Sequence, residues 1–295
     1  MRTYSIKELE NFSGVKAHTI RIWEQRYRLF TPSRTNTGIR FYENEDLKKI
    51  LATAILLKSG YKISKIAKLS KDEIHNELSK MEGKNNLDES TKFETYINNL
   101  LAAGVQFLED DFNSVYRNAK EKFSTFQIYT EIVYPLLVKI GTMWGKDDLN
   151  PLQEHFISNI LRQKLLVEID NMPKIGNPKK EVILFLPEKE THEIGLLLSN
   201  FILREAGIKT YYLGQQVPIA NLITMINEKQ IKEVVGFIFY SQGSEKLNKM
   251  LKICTENCPD TTFYWGGTKE PILGLHLDKN HQILNSIEDF KNKLI

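Results

Sequence analysis

The chain has 295 residues, 41% of them hydrophobic and 26% charged, with a formal net charge of +3, the composition of an ordinary globular protein rather than a disordered or fibrous one. That length admits two or three domains. No apolar run approaches the roughly 20 residues that span a bilayer, and Met1 to Glu8 hold no signal-peptide apolar core, so no membrane partner and a cytoplasmic location are expected.

Ser5, with Glu8 three residues on, predicts a capping box that opens a first helix. After Gly14 and Val15 a second helix is expected from Lys16 to about Tyr27, with Ile20 and Trp23 turned inward. Two short helices joined by a glycine-containing turn make a helix-turn-helix, whose second helix enters a major groove. On that helix Lys16, His18, Thr19, Arg21 and Arg26 are donors suited to phosphates and base edges. Pro32 to Tyr42 reads as a two-stranded wing that turns near Asn36 to Gly38, with Arg34 and Arg40 flanking the turn. Residues 46–57 and 63–69 read as two further short helices. Residues 1–42 carry eight basic side chains against three acidic ones, an electrostatic footprint for a phosphate backbone.

The ordered set from Ile20 to Tyr27, then Pro32, Ser33, Arg34, Gly38, Ile39, Arg40, Tyr42, Asp46 and Leu47, resembles the MerR-type winged-helix domain. The resemblance implies a dimeric regulator on promoter DNA that reads an inverted repeat, with Tyr42 joining the basic residues at the interface. Many members of that family continue into one long dimerisation helix. No heptad pattern of that length follows here, so dimerisation must come from elsewhere.

Residues 80–90 are polar, contain Gly83 and lack periodicity, and so read as a linker. Beyond them lie helical patterns at about 91–107, 109–122, 124–146 and 151–171. Their apolar stripes (Tyr96, Leu100, Leu101 and Val105 in the first) and short loops predict an antiparallel four-helix bundle. Trp144 ends the third helix, and Glu154 and His155 open the fourth.

Residues 171–180 form a second linker containing proline and glycine. Strands at 182–186, 210–213, 234–240, 262–265 and 274–277 then alternate with helices at about 193–206, 218–229, 244–257 and 283–293. Such alternation predicts a parallel sheet wrapped by helices. Cys254 and Cys258 are a single i, i+4 pair without a second pair, a poor zinc site that reads as buried or idle thiols.

The stretch Glu190, Thr191, His192, Glu193, Ile194, Gly195 lies between the first of these strands and its helix, at the carboxyl end of the sheet where ligands of this fold bind. His192 can project its imidazole into the crevice. Glu190 can accept a hydrogen bond from that ring and raise its basicity as a metal ligand. Gly195 removes a side chain where the helix start and a ligand approach closely. A receiver domain would need an acidic cluster with a phosphoacceptor aspartate, and a dinucleotide site a glycine-rich first turn; residues 187–192 supply neither.

With Leu213, Gly214, Val217 and Pro218 after the second strand, Ser241 after the third, and Gly266 and Gly267 after the fourth, the series resembles the cobalamin-binding Rossmann-like domain. The resemblance implies that His192 displaces the dimethylbenzimidazole base to become the lower axial ligand of cobalt, and that Gly266 and Gly267 admit the buried base. The usual Ser-x-Leu is here Ser241, Gln242, Gly243, a departure at the nucleotide tail. Trp144, nine intervening residues, then Glu154 and His155 resemble the light-responsive MerR-type cobalamin repressors of carotenoid genes. That likeness implies adenosylcobalamin between bundle and sheet domain, Trp144 against the adenosyl group, and Glu154 and His155 lining its pocket. Gly145 stands where the best-known of these photoreceptors carries a histidine that binds cobalt after photolysis, which bears on a bis-histidine light-adapted state.

The expectation is a multidomain α and α/β protein: a winged helix-turn-helix over 1–78, a four-helix bundle over 88–172 and a Rossmann-like α/β domain over 180–295. Its implied role is a non-enzymatic, cobalamin-dependent repressor, dimeric or tetrameric, whose assembly and operator binding follow adenosylcobalamin and light. Two rivals stand beside it: a corrinoid methyl-carrier, for which no catalytic domain is visible, and a MerR-type regulator with another stimulus.

Overall fold

Ser5 opens the first helix as its spacing predicts: its hydroxyl accepts from the Glu8 amide at 3.1 Å, and the Glu8 carboxylate accepts from the Ser5 amide at 2.7 Å. The resulting α1 (Ile6–Ser13) stops at left-handed Gly14, a conformation that suits glycine. The computed structural model describes residues 3–83, 88–144, 149–176, 178, 180–239, 243–268, 272 and 275–295. Their packing resolves into two compact units, Met1–Asn159 and Ile160–Ile295.

In the first unit, α2 (Ala17–Tyr27) buries Ile20 and Trp23. The wing follows as β1 (Ser33–Arg34) paired antiparallel with β2 (Arg40–Phe41), Arg34 opposite Arg40. Next come α3 (Asn44–Lys58), α4 (Ile63–Ile66) and α5 (Lys71–Gly83). The last of these corrects the expected linker, which begins later than residue 80. Helix α5 is short of apolar residues, but Ile74 is buried against Leu56 and Ile66, and the Tyr61 hydroxyl donates to Glu77 at 2.6 Å.

The bundle helices are α6 (Glu89–Val105), α7 (Glu109–Lys120), α8 (Thr125–Gln127) and α9 (Tyr134–Trp144), the last two joined through a π-helical turn at Ile128–Val133. Helix α10 (Pro151–Asp170) comes next. Gly104 lets α10 lie close, since a Cβ there would fall 2.3 Å from Ile157. Buried Gln153 donates to the Val105 carbonyl at 2.5 Å. Lys139 donates to Asn98 at 3.1 Å, and burial pushes its amine down to about 8.

The second unit holds a five-stranded parallel sheet. Its strands are β3 (Glu181–Pro187), β4 (Lys209–Val217), β5 (Glu233–Ile238), β6 (Thr262–Gly267) and β7 (His281–Ile283), in the order β4-β3-β5-β6-β7. Between them run α11 (Ile194–Glu205), α12 (Ile219–Lys229) and α13 (Ser244–Asn257), with α14 (Ile287–Leu294) at the end. Both faces of the inner strands are covered. Ile183, Phe185, Val234 and Ile238 join one core with Leu222, Leu247 and Leu251, while Val182, Leu184 and Leu186 are buried on the opposite face. Burial on both sides explains why these strands read as unbroken apolar runs. Cys254 and Cys258 are buried and free, and burial pushes the Cys254 thiol up to about 12.

The fifth strand departs from expectation. It lies at His281–Ile283, whereas residues 275–277 carry no strand. Its anchor is polar: the Trp265 indole N–H donates to His281 Nδ1 at 2.9 Å, and the Thr255 hydroxyl lies 2.9 Å from Nε2. Helix α14 starts correspondingly later, capped by the Ser286 hydroxyl, which accepts from the Asp289 amide at 3.0 Å. The chain is thus a multidomain α and α/β protein.

Candidate functional site

The candidate residues gather where the strand order reverses. After β3 the chain steps to β4 on one side, and β5 lies on the other, so the carboxyl ends of β3 and β5 flank the topological switch point where this class of sheet binds ligands. Residues Glu188–Glu193 follow β3 there, and Phe239 follows β5.

Glu190 is 1% exposed, yet its carboxylate is well supplied with donors. Oε1 accepts from the Thr191 amide at 2.9 Å, from the His192 amide at 3.1 Å, and lies 2.5 Å from His192 Nδ1. Oε2 accepts from the Phe239 amide at 2.8 Å. Burial of a carboxylate is tolerated only where hydrogen bonds replace water, and these do so while lacing the loop to the end of β5. A carboxylate facing Nδ1 sets the proton on that nitrogen and the lone pair on Nε2, the tautomer that a metal-binding histidine needs. The His192 side chain itself is 64% exposed, and its ring lies 5.5 Å from that of Phe239.

The residue after it is held as firmly. Glu193, 8% exposed, accepts from Arg162 Nε at 2.5 Å, the Tyr212 hydroxyl at 2.7 Å and Gln215 Nε2 at 3.2 Å. Burial, helped by the Glu193 carboxylate, holds the Tyr212 phenol above its usual range. No local pattern announces this group, because its members are separated by 31, 19 and 22 positions. Among the described residues no three His, Cys, Asp or Glu side chains gather around one point. A single imidazole backed by a buried carboxylate fits a metal that arrives with its other ligands, as in a metallo-macrocycle, better than a bare ion.

The remaining expected cofactor residues fall as follows. Gly195 lies in the first turn of α11 under the Phe237 and Phe239 rings, and Gly266 and Gly267 end β6. Ser241, Gly145 and the side chain of Trp144 lie outside the described residues. In the first unit, Glu154 and His155 are adjacent on the first turn of α10, with His155 Nδ1 2.8 Å from Glu154 Oε2 and the imidazole exposed.

The expected DNA-binding residues divide into two sets. Lys16, His18, Arg21, Arg26 and Arg34 are exposed and Thr19 is half-buried. Arg40 instead faces inward enough for its Nε to donate to Glu24 at 2.9 Å. Tyr42 requires a correction: it is fully buried, its hydroxyl donates to Glu24 at 3.0 Å and its backbone bridges Tyr4. Burial and that carboxylate raise its phenol above the ordinary range. Tyr42 is part of the frame that fixes the wing, not of a surface that could meet DNA.

Residues 4–73 match the family described as MerR HTH family regulatory protein, and residues 96–167 match the B12 binding domain. The chain is 31% identical over 222 residues to the HTH-type transcriptional repressor CarH of Myxococcus xanthus, spanning 75% of this chain and 74% of that one. The repressor CarA of the same organism is 26% identical over 224 residues, spanning 75% and 71%. Among solved structures, the monomethylamine corrinoid protein of Methanosarcina barkeri superimposes with a TM-score of 0.57 at 17% identity, covering 68% of this chain and 98% of that one; this shows likeness of fold. Among the described residues no helix is long and apolar enough to cross a membrane.

Proposed function

Because the chain belongs to the MerR-type transcriptional regulators that carry a B12-binding domain, we propose that it is a repressor whose hold on promoter DNA depends on adenosylcobalamin. It is a DNA-binding regulator of transcription and not an enzyme. The observation that supports a cobalamin switch most directly is the Glu190–His192 pair. The buried carboxylate orients an exposed imidazole that would hold the cofactor's cobalt through Nε2. When bound, the cofactor supplies a cobalt–carbon bond that light can cleave.

Around it, this chain's own residues bind and orient. Glu190 keeps the His192 proton on Nδ1, and Glu193 fixes the following turn through Arg162 and Tyr212. We assign Trp144, Glu154 and His155 to the residues that would hold the adenosyl group. We take residues 1–78 as the DNA-binding part, 88–172 as the cap and 180–295 as the cobalamin-binding part, working in the cytoplasm. A ligand shifts an assembly only by its differential affinity for the two states. Joining two or more winged helices raises their effective concentration on adjacent half-sites of an inverted repeat. Control of oligomerisation by adenosylcobalamin would therefore control operator occupancy, and light would release it.

The test is to incubate the purified chain with adenosylcobalamin in the dark, then record visible spectrum, native mass and operator binding before and after green light. The expected result is a histidine-on spectrum that His192→Ala abolishes, and a larger assembly in the dark than after light. A spectrum unchanged by His192→Ala removes the axial assignment. Unchanged mass and operator binding on illumination remove the light step but leave cobalamin sensing standing.

A further inference from the structure

Strand β5 ends in an aromatic pair whose position bears on which part of a corrinoid this sheet can read. Phe237 and Phe239 alternate onto the face that carries α11, opposite to the core face of Val234 and Ile238. Their rings are parallel within 6° and 5.9 Å apart. A Cβ built on Gly266 would lie 2.5 Å from the Phe237 ring, and one built on Gly195 would lie 3.3 Å from Phe239 and 3.7 Å from Phe237. The space beside Gly266 is therefore taken by the Phe237 ring, and that beside Gly195 has room for little more than a methyl group.

Gly267 has a different duty. Its φ is +132°, and a Cβ there would stand 1.9 Å from the carbonyl oxygen of Ile238, its partner across the sheet. Strand pairing itself requires that its side chain be missing. Neither glycine of the pair is left over to admit the flat base of a nucleotide tail. Swinging Phe237 aside to make room would break its stack with Phe239 and turn an apolar ring toward water.

We propose that this chain grips a corrinoid through the macrocycle and its metal, with Phe237 and Phe239 standing where a nucleotide base would enter, so that tail-less corrinoids of the cobinamide class bind as well as complete cobalamins. The inference rests on the cobalamin reading above. With His192 supplying the lower ligand, the tail's base is not needed at the metal. What remains for the tail is whatever slot the protein offers, and here that slot is filled. Phe237 thereby becomes a specificity-determining residue.

The experiment is equilibrium dialysis of the full chain in the dark against adenosylcobalamin and against adenosylcobinamide, each read by corrin absorbance. The two dissociation constants are expected to agree to within about tenfold. A preference for adenosylcobalamin beyond that overturns the inference while leaving the cobalamin reading intact. Retention of neither corrinoid overturns both. Phe237→Leu, which keeps an apolar side chain but shortens it, is expected to raise affinity for adenosylcobalamin several-fold and to leave adenosylcobinamide unchanged. An equal change for both ligands shows the ring to act on the macrocycle, and a loss confined to adenosylcobalamin shows it to be a wall for the base; either result sinks the proposal.

Discussion

Two glutamates, one in each unit, do comparable work by different means. Glu24, with its side chain 12% exposed, ties the wing to the second helix through side chains: the Arg40 guanidinium and the Tyr42 hydroxyl. Glu190, at 1% exposed, ties the loop after β3 through the main chain, accepting from the amides of Thr191, His192 and Phe239 as well as from the imidazole. The difference teaches where each region tolerates change. Partners on side chains can be removed one at a time. A carboxylate held by peptide groups cannot be replaced without disturbing the backbone that displays the histidine.

The sharpest way to break this comparison is Glu190→Gln. The amide cannot accept at both ends, and histidines that lose their orienting carboxylate bind metals roughly 10- to 100-fold more weakly. Dialysis against adenosylcobalamin should show that loss with helix content unchanged by circular dichroism; undiminished affinity would reduce Glu190 to a loop staple. Next in size is Glu24→Ala, which strands a buried hydroxyl and should destabilise the first unit by about 1–3 kcal/mol in chemical denaturation. A variant as stable as the wild type would show that Glu24 and the wing are independent. Tyr42→Phe removes one donor and keeps the ring, so about 1 kcal/mol is expected from the same melt, with operator affinity at a fixed salt concentration otherwise following stability. The smallest effect separates the two wing arginines. Arg34→Ala should reduce the slope of log K against log salt for operator binding by roughly 0.9. For Arg40→Ala, already engaged by Glu24, the change should be less than half of that, and equal slopes would contradict the division drawn between them.

Much of this was legible in the residues, and what was not has a physical reason. The Glu190–His192 pair could be read because its members are two positions apart and the preceding strand announces itself by an apolar run. The capping box at Ser5 and Glu8 is equally local. Helix α5 was hidden because it is mostly polar and leans on contacts with α3 and α4 rather than on an apolar stripe. Strand β7 was misplaced because it is only three residues long, and its buried His281 is satisfied by Trp265 and Thr255 from distant elements. Resemblance alone places Tyr42 at the DNA interface, and its burial was not legible because its acceptor, Glu24, lies 18 positions away. The filled space beside Gly266 was invisible for a similar reason: a glycine in sequence advertises room but not its tenant.

The way the Glu190 carboxylate is bonded also sets the evolutionary latitude of its loop. Thr191 meets that anchor through its amide, and its side chain is exposed. A residue with an N–H at that position keeps the bond, and proline, which has none, loses it. The outward face of the loop is free to drift and acquire new neighbours while the imidazole beside it stays aimed, so a lineage could retune what this edge meets without renegotiating how it holds a metal.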